Sequence, residues 1–222
     1  MDGHSAIRYR CEYVALVVIA MVVGVLPWSF TRWAGRALGQ AFYLLDHSHR
    51  RLAIENLQTA FPSLNSAECR ALARSTFHHF GRLAADLLKF RTLSPNAMLD
   101  LIEVSGAERV EEAQAYGKGI LFLTGHFGFW EIQALAHALK FESMSVMARA
   151  LDNPHAHKFL ERIRVSTGNV VIYRRGALRR VFKTLRQNGA VGILIDQHVQ
   201  SRDAVYVEFF KRTVATTSAL AV

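Results

Sequence analysis

The chain has 222 residues, half of them hydrophobic (51%), which is room for one sizeable core and excludes an intrinsically disordered chain. Lys and Arg outnumber Asp and Glu by 27 to 18, a formal charge of +9, so an anionic partner is expected: phospholipid, phosphorylated substrate, acidic protein or nucleic acid. The two cysteines, Cys11 and Cys69, form no C-x-x-C pair, and neither is placed for a structural disulfide.

Residues 13–30 (YVALVVIAMVVGVLPWSF) contain no charge. As a helix rising about 1.5 Å per residue, such a run approaches the roughly 30 Å of bilayer hydrocarbon. It therefore predicts a membrane-anchoring helix, with Trp28 and Trp33 suited to the interface and Arg32 and Arg36 to phosphate headgroups. No small-x-small cleavage site follows, which argues against a removed signal peptide. The chain is accordingly divided into an N-terminal region, residues 1–31, with the anchor at about 13–30, and a second domain, residues 32–222.

Residues 50–61 (RRLAIENLQTAF) carry apolar side chains at helical spacing up to Pro62. Ser66 reads as an N-cap for a long helix over residues 67–90, and Pro95 breaks the pattern that follows. From residue 118 the rhythm changes. Short apolar runs at 118–124, 144–148, 169–173 and 190–195 read as buried strands. Helical stretches at 129–139, from the Asn153-Pro154 cap towards Gly168, and at 177–187 separate them. A fifth strand is expected at 205–209, with a further helix after Thr216-Thr217. The alternation predicts an α/β fold with a mostly parallel central sheet flanked by helices.

In parallel α/β sheets, ligands bind beyond the carboxyl ends of the strands. The four strands are followed by His126, Arg149, Arg174-Arg175 and Asp196, so these residues are expected to converge on one edge. Residues 125–131 read GHFGFWE. Gly125 and Gly128 allow a tight strand–helix turn, through which His126 can fold back towards Glu131 in the first turn of the next helix. A neutral imidazole is a suitable base for taking the proton of an attacking alcohol, and a neighbouring carboxylate selects its tautomer and stabilises the imidazolium. Direct attack of an alcohol on a thioester needs no serine or cysteine nucleophile. A capping histidine beside a solvated glutamate is the plainer reading of the pair taken alone. Metal binding lacks a third ligand near His126 and Glu131, and His78, His79, His137, His155 and His157 show no ligand spacing as a set.

The wider pattern resembles the lipid A biosynthesis acyltransferase family. The segments that carry the resemblance are the apolar N-terminal run, IENLQTAFP at 54–62, LTGHFGFWE at 123–131, ARALDNP at 148–154, GILIDQ at 192–197 and FFKRTVATT at 209–217. The resemblance implies a membrane-associated O-acyltransferase that moves a fatty acyl group from an acyl-carrier-protein thioester to a hydroxyl of a lipid A precursor. It implies a His126–Glu131 catalytic dyad and substrate-positioning roles near Arg149, Arg164 and Asp196. It also implies a bacterial inner-membrane location with the catalytic domain facing the cytoplasm, and no metal or redox cofactor. Phe129, Ala148 and Lys211 depart from the family's usual residues and bear on acceptor identity. Family members usually continue past the Ala-Thr-Thr segment, so the domain is expected to be incomplete at its C-terminus.

Arg174 and Arg175 begin a basic stretch with Arg179, Arg180, Lys183 and Arg186, which fits an acidic carrier protein, anionic headgroups or a solvated face. Phe122, Phe127, Phe129 and Trp130 fit either an acyl pocket or core packing. Acylation of another bacterial glycolipid, such as a phosphatidylinositol mannoside, and an inactive membrane-surface binding protein are the competing functions. No nucleic-acid recognition motif accompanies the charge.

Overall fold

The computed structural model of the chain describes residues 3–173, 176–199 and 204–218. The chain divides into two compact units. One comprises Met1–Ile19 with Arg91–Asp196, and the other Ala20–Phe90 with Gln197–Val222.

The first unit is the α/β body. Its sheet contains β1 (Ile120–Thr124), β2 (Met144–Ala148), β3 (Val170–Tyr173) and β4 (Ala190–Leu194), all parallel, in the order β1-β4-β2-β3. The expected parallel sheet is therefore present, and β4 is inserted beside β1. The connecting helices are α7 (Trp130–Lys140), α8 (Pro154–Arg164) and α9 (Ala177–Arg186). Right-handed crossovers put α7 and α8, which advance across the sheet, on one face, and α9, which returns from β3 to β4, on the other. Ser145 of β2 meets Thr184 of α9, with the two hydroxyls 3.3 Å apart. Leu135, Val171, Ile172, Ala190, Val191 and Ile193 form the core between these layers. Asn153 caps α8 by accepting from the N–H groups of His155 and Ala156. Two short helices, α5 (Pro95–Leu99) and α6 (Ala107–Ala115), precede the sheet.

The second unit is built on α2 (Trp28–Leu45), α3 (His47–Ala60) and α4 (Ser66–Phe90). Helices α2 and α4 cross through small residues, and a Cβ added to Gly35 would lie 2.7 Å from the Gly81 carbonyl oxygen. The close crossing makes up in packing what the glycines lack in helix propensity. The N-terminus of α4 is a reciprocal box. The Asn65 side chain accepts from the N–H groups of Ala67 and Glu68, and Glu68 Oε2 accepts from Asn65 N–H. Asn65, not Ser66, is thus the cap, because an amide oxygen reaches the first free N–H groups from one residue earlier. The expected strand at 205–209 forms β5 (Ala204–Phe209), but it pairs antiparallel with β6 (Arg212–Thr217) in a separate hairpin of this unit. The helix expected after Thr217 falls almost wholly outside the described residues.

The expected membrane-crossing helix over residues 13–30 is not found: no helix among the described residues is long and apolar enough to cross a membrane. The uncharged run is cut in two. Helix α1 (Gly3–Val25) ends before Pro27, and α2 starts directly after it. Pro27 lacks the N–H that would bond back into α1, while its fixed φ suits the entry to a new helix. What remains uncharged in α1 is its last 13 residues of 23, about 20 Å at 1.5 Å per residue. The first half of α1 carries Arg8, Arg10 and Glu12 and packs within the first unit. There, Asn153 Nδ2 donates to Tyr9 O (2.9 Å) and to Glu12 Oε2 (2.8 Å), and the Tyr13 ring lies 5.5 Å from that of His155.

Candidate active site

The carboxyl edge of the parallel sheet positions the site. Strands β1 and β4 pair in register, Thr124 opposite Leu194, and the ladder continues one step as Ile195 N–H donates to Thr124 O (3.1 Å). Two residues past that pair, His126 and Asp196 are therefore brought side by side. His126 N–H donates to Asp196 Oδ2 (2.6 Å), and His126 Nδ1 lies 2.8 Å from Asp196 Oδ1. One carboxylate thus grips both the backbone and the ring of one histidine.

Gly125 makes that grip sterically possible. A Cβ there would sit 2.9 Å from Asp196 Oδ2, in the space the carboxylate occupies. Gly128 has φ +58°, the left-handed conformation that turns the chain from β1 into α7. The Trp130 ring stands edge-on to the His126 imidazole, with centroids 5.2 Å apart. Phe127, next to His126 in the chain, is 87% exposed. Apolar surface thus borders the imidazole. Phe122 instead packs on His137 on the α7 side of the sheet, with centroids 4.7 Å apart, and belongs to the core rather than to a pocket.

Burial raises the Asp196 carboxyl, but the hydrogen bonds from the His126 ring, the His126 amide and its own amide outweigh that and hold it below the usual carboxylate value. Asp196 is therefore anionic at neutral pH. The His126 amide is taken by this bond, so it is not a donor for an oxyanion.

Glu131 lies in the first turn of α7, as expected, but its carboxylate faces α8. Arg164 donates from Nε to Glu131 Oε2 (2.9 Å) and from a terminal nitrogen to Oε1 (2.5 Å), a two-pronged pair with side chains only 19% and 16% exposed. The carboxylate on the His126 ring is thus Asp196, 70 residues away, and not Glu131, five residues away. The physical reason is direction: a side chain at the start of α7 points towards the neighbouring helix α8, where Arg164 satisfies it. Arg164 accordingly holds Glu131, and Asp196 holds the histidine.

Arg149 follows β2 at the same edge, but its side chain is 92% exposed and among the described residues pairs only with Asp152, at 3.9 Å. Arg174 and Arg175 lie outside the described residues. One group at this edge was missed in the sequence. Tyr173, the last residue of β3, donates its hydroxyl to Glu161 Oε1 (2.6 Å) and packs its ring 5.1 Å from that of His157. Its strand-end position was the available signal. Burial first, then the hydrogen bond to Glu161 and that carboxylate's charge, push the Tyr173 phenol up to about 12.

The family model for bacterial lipid A biosynthesis acyltransferase matches residues 3–222. The lipid A biosynthesis myristoyltransferase of Escherichia coli (strain K12) is 25% identical over 218 residues, 97% of this chain and 68% of that protein. The lipid A biosynthesis lauroyltransferase of the same strain is 23% identical over 211 residues, 95% of this chain and 68% of that protein. Lipid A biosynthesis acyltransferase 2 of Shigella flexneri is 23% identical over 209 residues, 90% of this chain and 64% of that protein. With a family match that runs through both compact units and across the His126–Asp196 edge, this chain belongs to the bacterial lipid A biosynthesis acyltransferase family and is an acyltransferase.

Proposed function

We propose that this acyltransferase moves a fatty acyl group from an acyl-carrier-protein thioester to a hydroxyl of a lipid A precursor, with His126 as general base. The observation that carries the reading is the clamp of Asp196 on His126. A carboxylate at Nδ1 fixes the tautomer with its proton there, so Nε2 bears the lone pair that takes a proton. The acceptor hydroxyl gives its proton to Nε2 as its oxygen attacks the thioester carbonyl. The tetrahedral intermediate then collapses, the C–S bond breaks, and the departing thiolate takes the proton from the imidazolium. Asp196 stabilises that imidazolium while it exists.

Glu131 keeps a place in this machinery through Arg164. The paired guanidinium is fixed between α7 and α8, where a cation favours the oxyanion and the phosphate of an acceptor. Arg149, unrestrained at the same edge, is a further contact for an acceptor phosphate. Exposed Phe127, the residue after the base, offers apolar surface for the fatty chain. Membrane association is proposed through α2, which exposes Phe30, Trp33, Phe42 and Leu45 together with Arg32 and Arg36. Lying in the interface, such a helix places apolar side chains among the acyl chains and arginines among the phosphates. A cytoplasmic-facing inner-membrane site fits a reaction joining a carrier thioester to a membrane lipid.

The test is transfer of a labelled acyl group from acyl-carrier protein to purified lipid A precursor, with mass analysis of the product. A mass gain of one acyl chain on the lipid A precursor is expected. Acylation of a different glycolipid with the lipid A precursor left unmodified would overturn the acceptor, and no new ester on any lipid would overturn the reading as a whole.

A further inference from the structure

Helix α9 has an outer face that the reaction above does not use. Its inner side, Ala177 and Val181, is 8% and 7% exposed and lies against the sheet. Its outer side presents Arg179, Arg180, Lys183 and Arg186, all exposed. Among the described residues none of these four cations forms an ion pair. Leu178 and Phe182, one helical turn apart, are 47% and 44% exposed in their midst. Phe182 lines a shallow depression with Arg179, Lys183, Arg186 and Gln187.

Local stability does not account for this face. Arg179 with Lys183, Arg180 with Lys183, and Lys183 with Arg186 are like charges at i,i+4 or i,i+3, each costing a few tenths of a kcal/mol. The helix dipole favours cations in the last turn, which suits Lys183 and Arg186, but not Arg179 and Arg180 near the start. An unneutralised cationic ridge with apolar side chains among the charges matches an acidic partner surface that also carries an apolar contact. A bilayer fits less well, because the helix's continuous apolar side is already buried against the sheet and is not available to insert.

We infer that the outer face of α9 is the docking surface for the acidic acyl-carrier protein, an inference that rests on the donor proposed above. The topology supports the placement. Helix α9 begins directly after the carboxyl end of β3, on the sheet edge that holds His126 and Asp196, and runs away from it. A carrier lying along α9 therefore presents its flexible thioester arm to the edge where the base stands.

The experiment compares the wild-type enzyme with the triple variant Arg179→Glu, Lys183→Glu, Arg186→Glu, and with the same three positions changed to Gln. Binding of fluorescently labelled holo-acyl-carrier protein is measured by anisotropy. Transfer is measured from acyl-carrier protein and, separately, from acyl-pantetheine, which carries no protein surface. The charge reversal is expected to raise Kd and the carrier KM tenfold or more with kcat held, to leave acyl-pantetheine turnover unchanged, and to remove the salt dependence of binding. The Gln variant is expected to show the same change in smaller measure, and it serves if the reversed chain does not fold. Equal carrier affinity in wild type and variants overturns the docking surface alone, with transfer from the carrier intact. Loss of binding to phosphatidylglycerol vesicles with carrier affinity retained assigns α9 to lipid and also overturns it. A wild-type enzyme that turns over acyl-pantetheine but neither binds nor uses the carrier overturns the donor proposed above as well.

Discussion

His126 and Asp196, 70 residues apart, are joined twice: through the imidazole Nδ1 at 2.8 Å and through the backbone N–H at 2.6 Å. The pairing fixes the orientation of the imidazole proposed as the base, and it makes the roles of the two nearby carboxylates separable by experiment.

Replacing His126 by Ala is expected to lower acyl transfer by about 10²–10⁴-fold, the usual contribution of a positioned general base. Circular dichroism should show an unchanged fold. Transfer at the wild-type rate in a clean preparation would remove His126 from the mechanism.

Asp196→Asn and Glu131→Gln are expected to fail differently. With Asn at 196 the ring can turn to the wrong tautomer, so kcat should fall by about 10²-fold or more, with a smaller loss of stability than in the Glu131 variant. With Gln at 131 the largely buried Arg164 loses its charged partner, so the melting temperature should fall, by the equivalent of about 1–3 kcal/mol. Thermal melts and steady-state kinetics on both variants check this. A catalytic loss in the Glu131 variant as deep as that in the His126 variant, without a change in melting temperature, would instead assign Glu131 to the base itself.

Gly125→Ala should act through Asp196. The added Cβ needs the space 2.9 Å from Oδ2, so the carboxylate must move off the His126 amide and ring. The expected result is a fall in kcat similar in kind to that of Asp196→Asn, with acceptor KM little changed. An Ala variant with full kcat would show that the clamp is dispensable.

The pH dependence of stability should carry two signatures of opposite sign. The Asp196 carboxyl lies below its ordinary value of 3.8 in the folded protein, so its contribution is complete above that value and is lost as pH falls through the lower folded value. Asp196→Asn should therefore flatten the acid limb of a stability–pH curve. The Tyr173 phenol is raised to about 12 from 10.0, so its contribution is complete below 10.0 and is lost as pH rises through about 12. Ultraviolet titration should show one late-ionising phenol that Tyr173→Phe removes. A Tyr173→Phe variant that leaves the late phase intact would refute the assignment.

Much of the architecture is legible in residue order alone. The strand at 144–148 matches β2 end for end, and Asn153-Pro154 opens α8 as its cap chemistry dictates, because both depend on local patterns of apolar side chains and backbone donors. The same local information suggested residues 13–30 as one long apolar span, although Pro27 within it marks where a straight helix bends or stops, and there the chain passes from one helix to another. The short helices at 95–99 and 107–115 were not anticipated: at five and nine residues they are too short for a 3.6-residue rhythm to stand out.

The sequence by itself determined that His126 and Asp196 both stand at the carboxyl ends of strands, and that Glu131 opens a helix. Only the tertiary structure decided which carboxylate meets the imidazole. That choice follows from strand order, which places β4 beside β1 and carries the register of Thr124 and Leu194 two residues further, to the histidine and the aspartate. Strand order depends on how helices pack across the two faces of the sheet, a long-range balance of burial and crossover handedness that nearest-neighbour patterns in the chain do not encode.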